Sequence, residues 1–349
     1  MVKKKRLSAI ASIIMDYIYL YDAFEYYRET GVTGSDFLQI PEETFDGRIF
    51  AVDGSNVVLF DLVTTRVNHI RAGYVTYRGK EWQKTVITYD DIFVSDPKSY
   101  SPIFNRYLQG IFGLDGFVLT EAEIDRISTY ELDRMSTYYR ELQEYVALSE
   151  AISDAREGDL VLYDGGFWLW ADPYQKVLDS LFLQAESKGV DLLGISKQSG
   201  LSWGKEVSRP FIPATMRIGS QQIPDSPWYI DLAGKAIEPR PRGSWSGRIY
   251  VAKLNQYADR AFRVDAPNWV VGRIGMALGH LARYSDSAES LGYPHALFRA
   301  HREIRIQEEE RRLLRLWLMD ELGRAGLDEP QVRGILVDYH ESLEMRPFG

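Results

Sequence analysis

Two short apolar runs, more than a hundred positions apart, each stop in an aspartate followed by glycine: RIFAVDG ending at Asp53-Gly54 and LVLYDG ending at Asp164-Gly165. Four apolar residues without polar alternation read as a strand buried on both faces, which belongs at the centre of a sheet covered by helices. A carboxylate at the end of such a strand stands at the rim of the sheet, and the following glycine leaves room for another group to approach it. Taken singly, an Asp-Gly pair is more often a plain turn. Two in corresponding places point to one shared rim.

The surroundings of the two runs set the fold class. GRIFAVDGSNVVLFDLVTTRVNHIRAGYVTYRG alternates Val, Ile, Phe, Thr and Tyr runs with Gly, Asp and Asn turns, a meander whose first strand, Arg48 to Asp53, is expected to end in Asp-Gly-Ser. Residues 118–156 read as helix, opened by a capping-box pattern at Thr120 to Glu123 and continued through Tyr138 to Ala155. DLVLYDGG, a helix from Tyr174 to Lys188, and VDLLGIS then give strand, helix, strand, a parallel crossover in the same sheet. Three meandering strands followed by helix-linked strands is the α/β, ribonuclease H-like plan: a mixed sheet with helices on both faces. Residues 199–247, richer in Pro, Gly, Ser and Trp, are expected to be loops with short helices forming a substrate-facing insertion. IYVAKL and AFRVDAP return to strand, and helix resumes from about Trp269, broken at Gly292-Tyr-Pro and Glu329-Pro. The expected division is a helical extension over 1–40, a ribonuclease H-like domain over 41–306 and a second helical extension over 307–349.

Composition narrows the chemistry. With 41 basic against 50 acidic residues in 349, the net charge of −9 excludes a uniformly basic coat, so a polyanion partner needs a local patch. The absence of cysteine excludes disulfides, thiolate zinc sites and a cysteine nucleophile, leaving oxygen or imidazole to hold any metal. The opening MVKKKRLSAIASIIMDYIYLY imitates a secretory signal, but Asp16 and Asp22 interrupt it. Its longest uncharged stretch, Leu7 to Met15, falls short of the roughly 18–20 residues that span a bilayer. A cytoplasmic protein with no membrane segment is expected, with a first helix over about 7–28 docked on the body or on a partner. Its apolar positions (Ile14, Tyr17, Ile18, Tyr21, Phe24) and those of RRLLRLWLMDEL near the C-terminus suit core packing first and assembly second.

Divalent-metal hydrolysis of a phosphodiester needs carboxylates gathered at one point, because hard cations take oxygen ligands. Asp53 and Asp164 supply two. A third is expected from the intervening helix, where Glu141, Glu144 and Glu150 are candidates; Glu144 shares the small-residue face of Ala147, Leu148 and Ala151 and is preferred. GYPHALFRAHREIRI adds His295 and His301, six residues apart and so not on one helical face. RPRGSWSGR, with Arg240, Arg242 and Arg248, mixes cations with an aromatic ring, a combination that grips phosphates and stacks unpaired bases.

FAVDGS, LVLYDGG, ISKQSG and GYPHALFRAH, in that order over about residues 45–306, resemble the motifs of the NurA family of DNA-end-processing nucleases. Asp53, Gly54 and Ser55 match its first motif; Asp164 and Gly165 match its second, with Gly166 where serine is common. Lys197 resembles its strand-end lysine, and Tyr293, Pro294, Ala300 and His301 its tyrosine-proline motif, which favours His301 over His295. The resemblance implies a ribonuclease H-like core and Mn2+-dependent (Mg2+ as alternative) 5′ to 3′ exonuclease action on single- and double-stranded DNA. It leaves endonucleolytic cutting of single strands open. It further implies a homodimer enclosing a DNA channel, and partnership with a HerA-type hexameric DNA-translocating ATPase in recombinational repair. On this reading Asp53, Glu144, Asp164 and His301 hold metal, while Ser55, Lys197, Arg240, Arg242 and Arg248 meet DNA. The competing readings are a noncatalytic adaptor that docks the ATPase and a ribonuclease of the same fold.

Overall fold

The two apolar runs become adjacent parallel strands. The computed structural model of the chain describes residues 2–18, 21–62, 65–95, 106, 109–113, 132–167, 172–206, 208–238, 247–327 and 331. Its meander is β2 (Arg48–Asp61), β3 (Arg66–Arg78) and β4 (Glu81–Ser95), preceded by a short β1 (Leu38–Gln39). Helix α3 (Leu132–Asp154) leads to β5 (Leu160–Tyr163), and α4 (Asp172–Ser187) crosses over to β6 (Asp191–Ser196). With β9 (Trp228–Asp231), β10 (Gly247–Lys253) and β11 (Phe262–Pro267) they form a nine-stranded sheet ordered β1-β9-β10-β11-β6-β5-β2-β3-β4. The pairs β2–β5 and β5–β6 are parallel and the others antiparallel, as the ribonuclease H-like plan requires.

Alternation in the central strands explains their apolar composition. Phe50, Val52, Val161 and Tyr163 face a cluster with Leu142, Leu148 and Ala151 of α3 and Val177, Leu178 and Leu181 of α4. Ile49, Ala51, Leu160 and Leu162 face the other way, toward α7 (Ile274–Arg283) and α8 (His295–Ile304), which follow the short α6 (Asn268–Val271). A side chain of this kind contributes about 1.5–3 kcal/mol when fully buried, so both faces must be covered for such strands to persist.

Four expectations need correction or limit. Strand β2 does not end at Asp53-Gly-Ser but runs on to Asp61, because β3 keeps pairing with it through Gly54↔Ala72 and Ser55↔Arg71. Only its parallel neighbour stops, at Val52↔Tyr163. Asp53 is thus the first residue of β2 with an open flank, and Asp164 the first residue past β5.

The single N-terminal helix is two, α1 (Val2–Ile18) and α2 (Ala23–Thr30). Asp22 divides them by accepting the Glu25 N–H at 2.6 Å, an N-cap that satisfies one orphan donor of α2. Helix α2 docks on the body through Tyr26, which is buried, shares a 2.7 Å hydrogen bond with Thr215 and lies edge-on to Trp203. On α1, Ile10, Ile13 and Ile14 are exposed; Tyr17 and Ile18 lie outside the described side chains.

The segment 199–247 contains more order than its composition suggested. It holds a small pair, β7 (Ser202–Trp203) and β8 (Arg209–Pro210), helix α5 (Phe211–Gln222), and β9, which extends the main sheet. Trp203, Trp228, Phe37 and Phe211 form its core, so two of the tryptophans are packing residues. The capping box at Thr120 to Glu123 and the Glu329-Pro break lie outside the described residues. Helix α9 (Glu308–Arg324) seats Leu314, Leu318, Met319 and Leu322 on Leu59 and Phe60 of β2. No helix among the described residues is long and apolar enough to cross a membrane.

Candidate metal centre

Because β5 ends one residue before Asp164 while β2 continues, the rim between them is open, and three groups converge there. Ligand atoms of Asp53, Asp164 and His301 all lie within 4.8 Å of one another. His301 Nδ1 is 3.1 Å from Asp53 Oδ2, and the Gly54 N–H donates to Asp53 Oδ1 at 2.8 Å. Asp53 is buried, whereas the His301 side chain is 47% exposed, so the centre opens to solvent on the α8 side. The Asp164 amide continues the lost ladder by donating to the Val52 carbonyl at 3.1 Å, which fixes its backbone against β2.

Asp164 is held by two further groups. Lys197 Nζ sits 2.5 Å from Oδ2 and the Tyr293 hydroxyl donates to Oδ1 at 3.2 Å, with the ammonium 5.4 Å from the Tyr293 ring centre. Burial pushes the Asp164 carboxyl up, the charge of Asp53 pushes it further, and Lys197 and Tyr293 oppose. Two carboxylates and an imidazole so close suit a hard or borderline divalent cation, whose ligands lie about 2.0–2.6 Å from it. The mutual repulsion raising Asp164 is the charge such a cation would neutralise.

Glu144 comes to the same rim from the opposite face of the sheet. It is buried on α3, paired with Arg140 one turn earlier, and accepts the Tyr163 hydroxyl at 3.0 Å. Burial lifts its carboxyl to about 8; Asp53 and Glu141 add to this, and Arg140 and Tyr163 oppose. Glu141 instead accepts the Tyr145 hydroxyl at 2.8 Å, and Glu150 is exposed, so of the three candidates Glu144 is the one that approaches the strand bearing Asp53. That approach depends on Gly54: a Cβ there would fall 2.3 Å from Glu144 Oε1. Gly54→Ala is therefore expected to displace the carboxylate and destabilise the fold by about 1–3 kcal/mol, measured by denaturant unfolding. An unchanged midpoint would show that Glu144 moves aside freely.

The remaining candidates divide. Ser55 Oγ accepts the Ile306 N–H at 3.1 Å, pinning the α8–α9 junction beside the centre. His295 is removed from the centre: its Nδ1 faces the Tyr284 carbonyl at 2.9 Å and its ring packs on Tyr77. Arg248 lies on β10, across β11 and β6 from β5, in a 2.6 Å ion pair with Asp231. Arg240 and Arg242 lie outside the described residues. A second group, His69, Asp90 and Glu310, is also close enough to share an ion, but Arg71 already bridges Asp90 and Glu310 at 3.0 and 2.5 Å. Arg140 and Tyr163 belong to the centre although no motif in the sequence singles them out. Their signals were positional: Arg140 precedes Glu144 by one helical turn, and Tyr163 immediately precedes Asp164.

No protein-family model matches the sequence, and no curated protein matches it in sequence. Among solved structures, the NurA nuclease from Sulfolobus solfataricus is similar over 92% of this chain and 95% of that chain, with a TM-score of 0.52 at 15% identity. The catalytic domain of human Endonuclease V is similar over 78% of this chain and 84% of that one, at a TM-score of 0.33 and 10% identity, too remote to bear on the fold. The chain has a NurA-like α/β fold with the ribonuclease H-like sheet order.

Proposed function

We propose that this chain is a divalent-metal-dependent deoxyribonuclease whose centre is built from Asp53, Glu144, Asp164 and His301. The observation that carries the reading is the convergence of Asp53, Asp164 and His301 within 4.8 Å at the open end of two parallel strands. A cation held there, Mn2+ or Mg2+, would polarise the scissile phosphate and ease deprotonation of the attacking water. The chain's own groups do the rest. Tyr293 orients the Asp164 carboxylate, and Lys197 balances its charge and can donate to a non-bridging phosphate oxygen. His301, half-exposed and hydrogen-bonded to Asp53, presents an imidazole at the solvent side where water and DNA arrive. For Arg248 to meet a phosphate it would have to exchange Asp231 for it.

The finer assignment follows the family resemblance in the motifs. It comprises 5′ to 3′ exonuclease action at DNA ends, with single-strand endonuclease cutting beside it, in recombinational repair; a homodimer; and a HerA-type hexameric translocase as partner. The nuclease domain is assigned to residues 41–306. A translocase that delivers DNA would offset the weak intrinsic affinity of a chain with net charge −9. End-labelled single- and double-stranded DNA, with matched RNA, incubated with Mn2+, Mg2+ or EDTA tests this. Metal-dependent release of nucleotides from the 5′ end of DNA is the expected result. DNA left intact with every divalent ion, together with binding to the translocase, would establish the adaptor reading instead.

A further inference from the structure

Beyond β5 only the Asp164 amide still meets β2, through the Val52 carbonyl, and residues 165–167 must be placed by something other than a strand ladder. One contact does this from two strands away. The Phe167 N–H donates to Asp265 Oδ2 at 2.9 Å, reaching over Gly194 of β6, the residue paired with Asp265. Asp265 is fully buried in the middle of β11, and Arg263, itself 8% exposed, donates to both of its oxygens at 2.6 Å through Nε and Nη2. The Phe167 ring then stacks on Tyr163 with centroids 5.8 Å apart, closing the short loop that begins at Asp164.

A buried ion pair is a poor device for stability, since apolar residues of similar volume do as well or better. What apolar residues could not do is accept the Phe167 N–H. The departure at Gly166 fits the same construction: a Cβ there would stand 3.0 Å from Asp265 Oδ2, 3.1 Å from Arg263 Nη2 and 3.2 Å from Ser196 Oγ. The loop therefore lies directly against the pair.

We propose that Asp265, fixed by Arg263, is a positioning residue that captures the Phe167 N–H and so sets Asp164 beside Asp53. It touches no reacting atom, and its role in metal binding rests on the nuclease reading above. Direct partners of metal ligands typically change affinity by about 10–100-fold when removed, and Asp265, which reaches Asp164 only through the Phe167 amide, is expected at the low end of that range. Asp265→Asn removes the buried charge that Arg263 meets and can fail to fold; the double variant Arg263→Met/Asp265→Leu replaces the pair by apolar side chains and removes the acceptor of the Phe167 N–H. Both are compared with wild type by calorimetric Mn2+ titration, by thermal melting, and by hydrogen exchange of the Phe167 amide in metal-free protein.

The expected result is a folded double variant in which the Phe167 amide exchanges faster and Mn2+ binds at least about tenfold more weakly. Wild-type exchange, or Mn2+ affinity within twofold of wild type, would overturn the proposal. An Asp53→Ala control separates the two readings. If it binds Mn2+ as well as wild type, the nuclease centre is wrong, while Phe167 exchange still decides whether Asp265 holds the loop.

Discussion

Asp164→Asn is expected to lower metal-dependent DNA cleavage by about 10³-fold without lowering the melting temperature. The activity loss reflects a ligand that supplies several kcal/mol of stabilisation to the charge developing on the phosphate, and about 4 kcal/mol corresponds to that factor. The stability forecast comes from the opposite side of the same fact. Burial and Asp53 raise the Asp164 carboxyl, so its charged form is disfavoured in the fold and a neutral isostere relieves the strain. Lys197 loses its partner, but its side chain is 37% exposed and solvent takes over. Activity within tenfold of wild type would remove Asp164 from the centre. A large fall in melting temperature would mean that the carboxylate is structural.

Metal affinity should climb with pH, while the stability of the metal-free protein moves the other way. Glu144, lifted to about 8 by burial, must lose its proton before accepting a cation. Each proton released makes binding about tenfold tighter per pH unit below the folded pKa. Without metal, a carboxyl raised in the fold contributes stability that is full below its unfolded value near 4.5 and fades as pH rises through about 8. Mn2+ should therefore raise the melting temperature by a larger increment at pH 8 than at pH 6. Thermal melts with and without Mn2+ at the two values check this, and an equal or larger increment at pH 6 would contradict it.

The parts of this molecule that were legible in its sequence are those governed by local pattern. Ile49 to Val52 and Leu160 to Tyr163 announce buried strands because water is absent from both their faces, and the charge that ends each run marks the rim. Ala147, Leu148 and Ala151 mark the buried face of α3 and with it the direction of Glu144. The break between α1 and α2 was also written locally, in Asp22 followed three residues later by Glu25, but the apolar stripe running across it concealed it.

What escaped depends on partners distant in sequence. Strand β2 outruns its parallel neighbour because β3 continues to pair with it, and β9 is four residues long, with Trp228 and Ile230 buried against α5 and its neighbours. Arg263 and Asp265 alternate in β11 like polar residues on a solvated face, but the loop from β5, folded across Gly194, lies against them. Arg248 read as a free cation because Asp231 lies on the adjoining strand rather than nearby in the chain.

On the proposed function, one divalent cation site lies between Asp53 and Asp164. Anomalous diffraction from crystals grown with Mn2+ tests it most directly. The prediction is a single strong peak within coordination distance of Asp53 and Asp164, with His301 and Glu144 drawn toward it. A peak elsewhere, such as at His69, Asp90 and Glu310, with none between the two aspartates, would contradict it.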